Sequence, residues 1–91
     1  MFRIKVTRKF EKDIILCFRR NYEMENLTKI LNQLETTGVV NAQHKPHKLK
    51  GNYKGYWECH IKPDWLLIWK TTPKINEITL VRCGTHSDLF S

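Results

Sequence analysis

Apolar residues recur along the chain with two different periods, and these periods predict its first elements. Residues 2–7 alternate between apolar and polar side chains, as a strand does. Over residues 8–20 and again over residues 23–36, apolar side chains recur about every three to four positions, which is the spacing of an amphipathic helix. Thr7 is a suitable N-cap for the first helix, and Gly38 can end the second helix in a left-handed conformation.

The C-terminal half predicts three strands joined by short turns, over residues 56–62, 65–71 and 75–83. Strands joined so closely pair as an antiparallel meander. The polar segment 39–54 is expected to be a long loop, and a short helical turn can follow the last strand. The predicted fold is a single α+β domain over residues 1–91, in the order β-α-α-β-β-β. The two helices form a hairpin on one face of a mainly antiparallel four-stranded sheet, and the other face is left partly open.

Length and composition limit the class of protein. The chain has 91 residues and contains no run of the roughly 18 apolar residues that a membrane span requires. Its first residues alternate apolar and basic side chains and lack the apolar run of a signal peptide, so a cytoplasmic protein with no membrane partner is expected. The three cysteines, Cys17, Cys59 and Cys83, form no paired motif and are expected to be small buried hydrophobic residues.

The charge is unevenly distributed. The net charge is +7, and no acidic residue lies between Thr36 and Trp57. A basic surface of this kind attracts nucleic acid, an acidic protein or an anionic membrane. Lysines can hold phosphates while exposed aromatic rings stack on bases, which favours RNA over the alternative of a solvated loop. The residues in this interval that carry the prediction are Lys45, Lys48, Lys50, Lys54, His44, His47, Tyr53 and Tyr56.

Four polar residues that are distant in the sequence are predicted to meet at one edge of the sheet. In the meander, the second and fourth strands of the chain flank the third and end at the same edge. His60 and Arg82 lie near these two ends, Asp64 lies in the turn between the strands, and His86 lies in the segment that leaves the edge. Neighbouring strands are about 4.8 Å apart, so the two outer ends should be roughly 10 Å apart, which leaves room for one phosphodiester.

These residue types suit RNA cleavage without a metal. The 2′-hydroxyl of RNA can attack the adjacent phosphorus if a base removes its proton and an acid protonates the leaving 5′ oxygen. Histidine can serve in either role near neutral pH, and arginine can bind two phosphate oxygens at once. Each residue alone also fits an ordinary surface or turn position, so only their joint placement favours function. His44, His47, Cys59, His60 and His86 have no familiar zinc-ligand spacing, and no metal or other cofactor is expected.

Three segments carry a resemblance to a known family. In this sequence they are HKLKG at 47–51, ECHIKPDWLL at 58–67 and RCGTHSDLF at 82–90. Their motifs and spacing resemble the YafQ family, which belongs to the RelE/ParE toxin superfamily. The resemblance covers nearly the whole chain, because its length and element order also agree.

The resemblance implies the toxin half of a type II toxin–antitoxin pair, acting as a ribosome-dependent mRNA interferase. Such toxins enter the ribosomal A site and cut the codon that is displayed there. The implied partners are the ribosome, mRNA and a cognate acidic antitoxin.

The resemblance also implies roles for individual residues. His86 is the expected general acid. Asp64 or His47 is the expected base, with His60 orienting or sharing the proton, and Arg82 is expected to stabilise the transition state.

Three further residues are expected to contact the mRNA. Trp65 and Phe90 are expected to hold or stack the strand, and Glu58 is expected to lie near the recognised base.

Two other functions would share this fold and charge: a ParE-like toxin that inhibits its target without cutting RNA, and a non-catalytic basic RNA-binding protein. A pure binder needs no acid–base group, so the histidines favour the enzyme.

Overall fold

The computed structural model describes residues 1–90 and contains the predicted elements in the predicted order, with one strand added. The helices and strands are β1 (Arg3–Val6), α1 (Arg8–Arg19), α2 (Met24–Thr37), β2 (His47–Lys48), β3 (Trp57–Lys62), β4 (Trp65–Thr72), β5 (Glu77–Gly84) and α3 (His86–Phe90). Arg20 caps the end of α1, and single turns of 3-10 helix occupy residues 42–44, 51–53 and 73–75.

The sheet has five strands in the order β1-β5-β4-β3-β2, so the expected count of four is corrected. β1 is parallel to β5, and the other neighbours are antiparallel. The added strand, β2, is two residues long and lies inside the segment predicted as a loop. A pair of residues is too short to show an alternating pattern, and this strand forms because it can pair with the edge of β3. The α+β class and the C-terminal meander are confirmed.

Both helix-end signals in the sequence are confirmed. The Thr7 hydroxyl accepts a hydrogen bond from the amide of Phe10 at 3.0 Å, so Thr7 caps the N-terminus of α1. Gly38 ends α2 with a left-handed φ of 79°, and its amide donates to the carbonyl of Leu34 at 2.9 Å.

Apolar side chains fill the space between the two helices and one face of the sheet. All three cysteines lie in or beside this layer as buried free thiols, as the sequence predicts. A smaller apolar cluster covers part of the opposite face, where Leu66 and Ile68 pack with Leu89 of α3 and with Tyr53 and Tyr56 of the preceding loop. None of the helices within residues 1–90 has both the length and the apolar character needed to cross a membrane.

Replacing Gly38 by alanine is expected to destabilise the fold for two reasons. A Cβ atom at this position would overlap the ring of Phe2, and alanine disfavours a positive φ. Gly51 is the matched control, because it has a φ of 68° and a Cβ atom there would have no neighbour within 4 Å. In urea denaturation, Gly51→Ala should cost about 1 kcal/mol of unfolding free energy, and Gly38→Ala about 1–3 kcal/mol more. Equal costs for the two variants would show that the Phe2 contact contributes nothing.

Candidate active site

The register of the sheet brings the predicted polar residues onto the face opposite to α1 and α2. One row across the strands runs from His47 through Glu58 and Ile68 to Arg82, and the next row pairs His60 with Leu66. Ile68 and Leu66 belong to the apolar cluster on that face. His60 and Arg82 therefore flank β4 on the same side of the sheet, as the meander predicts.

A β-bulge in β5 turns Arg82 toward this face. Ile78 and Leu80 face the helices, and strict alternation would direct Arg82 the same way, into the core. Leu80 pairs with Trp69 and Arg82 with Ile68, so Val81 is an extra residue in β5. The insertion shifts the alternation by one position. A bulge has no reliable sequence signal, and alternation alone therefore could not assign the face of Arg82.

Asp64 and His86 form the shortest polar contact of the site. Nδ1 of His86 donates to Oδ1 of Asp64 at 2.6 Å, and the backbone amide of His86 donates to the same oxygen at 2.9 Å. These two bonds lower the pKa of Asp64, the backbone bond most strongly, so the group is a carboxylate at neutral pH. Because Nδ1 is held as a donor, Nε2 is the ring nitrogen of His86 that can exchange a proton with a substrate.

His47, His60 and His86 form a row of rings along the open face, with Phe90 at its end. The ring centroids are 6.4 Å apart for His47 and His60, 6.0 Å for His60 and His86, and 6.5 Å for His86 and Phe90. Nδ1 of His60 donates to the carbonyl of Pro63 at 3.2 Å, which leaves its Nε2 free to accept a proton.

His47 is held differently, because both of its ring nitrogens face acceptors. Nδ1 lies 3.0 Å from the carbonyl oxygen of Lys45, and Nε2 lies 3.2 Å from Oε1 of Glu58. A ring with protons on both nitrogens satisfies both contacts. Glu58 is 5% exposed, and its second carboxylate oxygen is buried without a hydrogen-bond partner among residues 1–90. Glu58 thus lies beneath the histidine row with one acceptor unused.

Asp13 of α1 holds Arg82 and was missed by the sequence analysis. Nε and Nη2 of Arg82 donate to the two oxygens of Asp13 at 2.8 and 3.2 Å, and the amide of Cys83 donates to Asp13 at 2.9 Å. The Asp13 bond raises the pKa of Arg82, which stays cationic. The sequence could have indicated this role. Asp13 is three residues after Phe10 and four before Cys17, which are both buried, so it lies on the core-facing side of the helix. An acidic residue there needs a cationic partner.

Asp88 holds α3, which carries His86 and Phe90, in place. Arg20 at the end of α1 donates to both carboxylate oxygens of Asp88, at 2.7 and 3.1 Å. The amide of Thr85 donates to Asp88 at 2.9 Å, and the hydroxyl of Thr85 accepts from the amide of Asp88 at 3.0 Å. This reciprocal pair is a helix N-terminal cap. A Cβ on Gly84 would lie 2.7 Å from the same carboxylate, so the turn into α3 requires glycine there.

Phe90 and Lys50 meet beside the histidine row. Phe90 is 48% exposed, and the ring of Tyr53 contacts it edge-on at 5.9 Å. Lys50 lines a cavity of about 410 Å³ together with Tyr53 and Phe90. Lys54 lies further along the same loop, where it shares a second cavity with Lys50. An RNA base can stack on an exposed ring while a neighbouring lysine binds the phosphate of the same nucleotide.

Two residues expected to contact RNA lie away from the histidine row, and the burial of Trp65 corrects its expected stacking role. Trp65 is 4% exposed, packs edge-on against Tyr22 at 4.8 Å and donates to the sulfur of Cys83, so it has no free ring face for stacking. Lys48 lies on the opposite side of β2 from His47, with its ammonium 5.7 Å from the ring of Trp57. Trp65 follows the turn closely in sequence, but β4 directs its side chain into the core.

The donor atoms do not form a metal site as they are placed. Among the residues that the structure describes, no group of three or more histidine, cysteine or acidic side chains is arranged to bind an ion. The centroids of neighbouring rings in the histidine row are 6.0 Å or more apart, and Cys59 faces the helices. An oriented imidazole pair and a carboxylate do meet at one edge of the sheet, and Arg82 lies across β4 on the same face. These groups are suited to acid–base chemistry on a phosphodiester.

The fold and this set of residues define a small basic α+β protein with imidazoles and a carboxylate gathered at one edge of its sheet, and comparisons with known proteins identify the family. Residues 2–91 match the family described as a bacterial toxin of type II toxin–antitoxin systems, YafQ. The mRNA interferase toxin YafQ of Escherichia coli K12 is 36% identical over 88 residues, which cover 96% of this chain and 94% of that protein. The chain therefore belongs to the YafQ family of type II toxins.

Solved structures agree with this assignment. The crystal structure of the E. coli DinJ–YafQ complex matches with a TM-score of 0.89 at 34% identity, and the match covers 100% of both chains. A metal-bound toxin from Helicobacter pylori matches with a TM-score of 0.90 at 37% identity, over 99% of this chain and 100% of that chain. The fold is thus that of YafQ structures throughout the described chain.

The contact between Asp88 and Arg20 predicts how stability depends on pH. Arg20, with help from Thr85, holds the pKa of Asp88 well below its ordinary value, against the raising effect of partial burial. The folded protein keeps this carboxylate charged, while the unfolded chain takes up a proton near about pH 4. The resulting stabilisation is full above about pH 5 and is lost as the pH falls toward the folded-state pKa.

Asp88→Asn should therefore be less stable than the parent protein at pH 7, by about 1 kcal/mol because the pair is partly exposed. The difference should shrink at pH 3. Urea denaturation at both pH values measures it, with Glu35→Gln, which removes an exposed acid from α2, as the control. A difference for Asp88→Asn that is the same at pH 7 and pH 3 would contradict the assigned contact.

Proposed function

We propose that this protein is a ribosome-dependent mRNA interferase that cleaves RNA by attack of its own 2′-hydroxyl, with no metal ion. The observation that carries the proposal is the Asp64–His86 pair, which holds one ring nitrogen of His86 as a fixed donor and leaves the other free beside His60. The name of the E. coli relative, mRNA interferase toxin, supports the same substrate and reaction.

The reaction needs an acid on the leaving-group side. The 2′ oxygen forms a bond to phosphorus while the bond from phosphorus to the 5′ oxygen breaks, giving a 2′,3′-cyclic phosphate and a 5′-hydroxyl. His86 acts in its doubly protonated form: Nε2–H donates its proton to the departing 5′ oxygen, and the neutral ring that results keeps its remaining proton on Nδ1. Asp64 keeps the ring in one orientation and tautomer as the proton leaves.

His60 is the base that the geometry favours. Its Nδ1 donates to the carbonyl of Pro63, so Nε2 carries a lone pair that can take the 2′ proton. The two bases implied by the family resemblance are less suited to the role. Oδ1 of Asp64 already accepts two hydrogen bonds from His86, and both ring nitrogens of His47 face acceptors. We assign His47 to orientation of Glu58 and of the RNA.

Arg82 stabilises the negative charge that builds up on the phosphorane. Asp13 uses Nε and one hydrogen of Nη2, so the remaining N–H groups of the guanidinium are available to phosphate oxygens. Phe90 can stack on a base of the codon. Glu58, whose second oxygen is buried, acts on the recognised base only through the His47 ring that it contacts.

The partners follow from the same chemistry. A protein of this size has little surface with which to orient RNA, and a ribosome that presents the codon supplies the orientation. E. coli YafQ has been crystallised with DinJ, and we propose that this toxin likewise binds a cognate antitoxin, one acidic enough to neutralise the +7 surface. We place its action in the cytoplasm, where ribosomes translate mRNA.

His86→Ala is expected to fold normally and to lose ribosome-dependent cleavage by about 10²–10⁴-fold, because the general acid is gone. The measurement maps mRNA ends after incubation with translating ribosomes, with a chelator selective for transition metals present in a parallel reaction that keeps the Mg²⁺ the ribosome needs. Cleavage by the parent protein should persist in that reaction. Lys74→Ala, at the opposite end of the sheet, is the control. Parent protein that arrests translation without producing new mRNA ends would instead indicate a non-cutting binding toxin, and full activity of His86→Ala would remove the acid assignment.

Asp13→Asn tests the support of Arg82. The variant should lower kcat about tenfold, because Arg82 is no longer fixed, while KM stays equal or falls, because the protein gains one positive charge. Glu11→Gln adds the same charge on the exposed side of α1 and should leave kcat unchanged. Asp13→Glu should recover part of the loss. A raised KM with unchanged kcat in Asp13→Asn would show that Asp13 does not position a catalytic group.

A further inference from the structure

A second cavity lies next to the histidine row, where it is lined by His60 but not by His86. Lys45 of its wall is hydrogen-bonded to His47, the ring neighbour of His60 on the side away from His86. It has a volume of about 420 Å³, and its ionisable lining residues are His44, Lys45, His60 and Lys62, with no carboxylate among them. Lys45 and Lys62 are exposed, so their ammonium groups reach solvent without a built-in counter-charge in the cavity wall. A cavity lined only by cationic and neutral groups selects an anion.

Hydrogen bonds link the wall of this cavity to the histidine row. Nδ1 of His44 lies 3.1 Å from the backbone carbonyl of His60, and the carbonyl of Lys45 accepts from Nδ1 of His47 at 3.0 Å. Lys45 has a left-handed φ of 51°, a conformation that a residue with a Cβ rarely adopts. The strained turn at Lys45 turns its carbonyl toward the histidine row, so the cavity wall and the row form one connected unit.

The lining favours a phosphate over a base or an acidic protein segment. No Phe, Tyr or Trp ring borders the cavity, and the Nδ1 atoms of its two imidazoles, His44 and His60, are both held by backbone carbonyls, so a base would find only small rings to stack on. His60 borders both the cavity and the reacting centre, so an anion bound here lies one ring away from the cleaved linkage. The neighbouring phosphate of the same RNA strand is the anion that must lie at that distance whenever a substrate is bound.

The assigned roles also fix the direction of the strand. His60 serves the 2′-hydroxyl of the attacked nucleotide, and His86 serves the 5′ oxygen of the next nucleotide. The RNA strand therefore runs in the 5′ to 3′ direction from His60 to His86. The cavity lies beyond His60 and therefore faces the phosphate on the 5′ side of the attacked nucleotide. We propose that the cavity beside His60 is a subsite for this phosphate, bound by Lys45 and Lys62; the inference deepens the proposed nuclease function and rests on it.

The test measures binding rather than cleavage, so that it does not depend on catalysis. Ribosome complexes carry an mRNA with 2′-deoxyribose at the attacked nucleotide, which blocks the reaction, and with either a normal or a neutral methylphosphonate linkage on its 5′ side. The parent toxin should bind the methylphosphonate complex about three- to tenfold more weakly, and its salt dependence should fall by about one phosphate contact.

The variant Lys45→Gln/Lys62→Gln should bind the complex with normal mRNA about three- to tenfold more weakly than the parent does. Its affinities for the normal and the methylphosphonate complexes should be equal. The matched control, Lys9→Gln/Lys74→Gln, removes the same charge far from the cavity and should still respond. A variant that loses affinity but responds to the methylphosphonate like the parent would place a ribosomal RNA phosphate in the cavity and overturn the proposal. A variant weakened only toward the antitoxin would also overturn it.

Failure of the subsite and failure of the nuclease function give different results. If the parent toxin cleaves unmodified mRNA but its binding ignores the methylphosphonate, the subsite is wrong and the nuclease stands. If no cleavage of unmodified mRNA occurs on the ribosome, the nuclease function is wrong, whatever the binding data show.

Discussion

The hydrogen bond between Asp64 and Nδ1 of His86 joins two parts of the chain that only the sheet brings together. Asp64 lies in the turn between β3 and β4, and His86 opens the helix that follows β5. The two meet because β3 and β5 both flank β4 and end at the same edge. The ring of His86 that this contact fixes lies between those of His60 and Phe90, with centroid distances of 6.0 and 6.5 Å.

The helical layer supports this site from the other side of the sheet. Asp13 and Arg20 lie seven residues apart on α1, which places them about two turns apart on one face of the helix. One binds Arg82 directly, and the other binds Asp88 and so holds α3. A single helix thus anchors both Arg82 and the segment that carries His86. These contacts fix the proposed site without a large core, which a chain of this length cannot build.

Long-range features of this site could be predicted from the sequence because they follow from topology. The helical periods, the short turns and the meander are enough to bring His60, Asp64, Arg82 and His86 to one edge. Features set by single residues in context could not be predicted. The bulge at Val81 reverses the face of Arg82, and the two-residue strand β2 has no period to detect. Trp65 faces the core although it directly follows the turn that carries Asp64. Asp13 could be predicted in part. The sequence shows that an acidic residue lies on the buried stripe of the first helix, but it does not show that Arg82 is its partner.

The tautomer of His86 decides whether Asp64 orients the ring as proposed. In the neutral form of the ring, ¹⁵N chemical shifts distinguish a protonated nitrogen from an unprotonated one, and Asp64→Asn provides the reference without the carboxylate. We predict that Nδ1 carries the proton and that Nε2 is the free nitrogen, because Asp64 must accept from Nδ1. A ring protonated on Nε2 with a bare Nδ1 would contradict this orientation, since the carboxylate would then have no proton to bind.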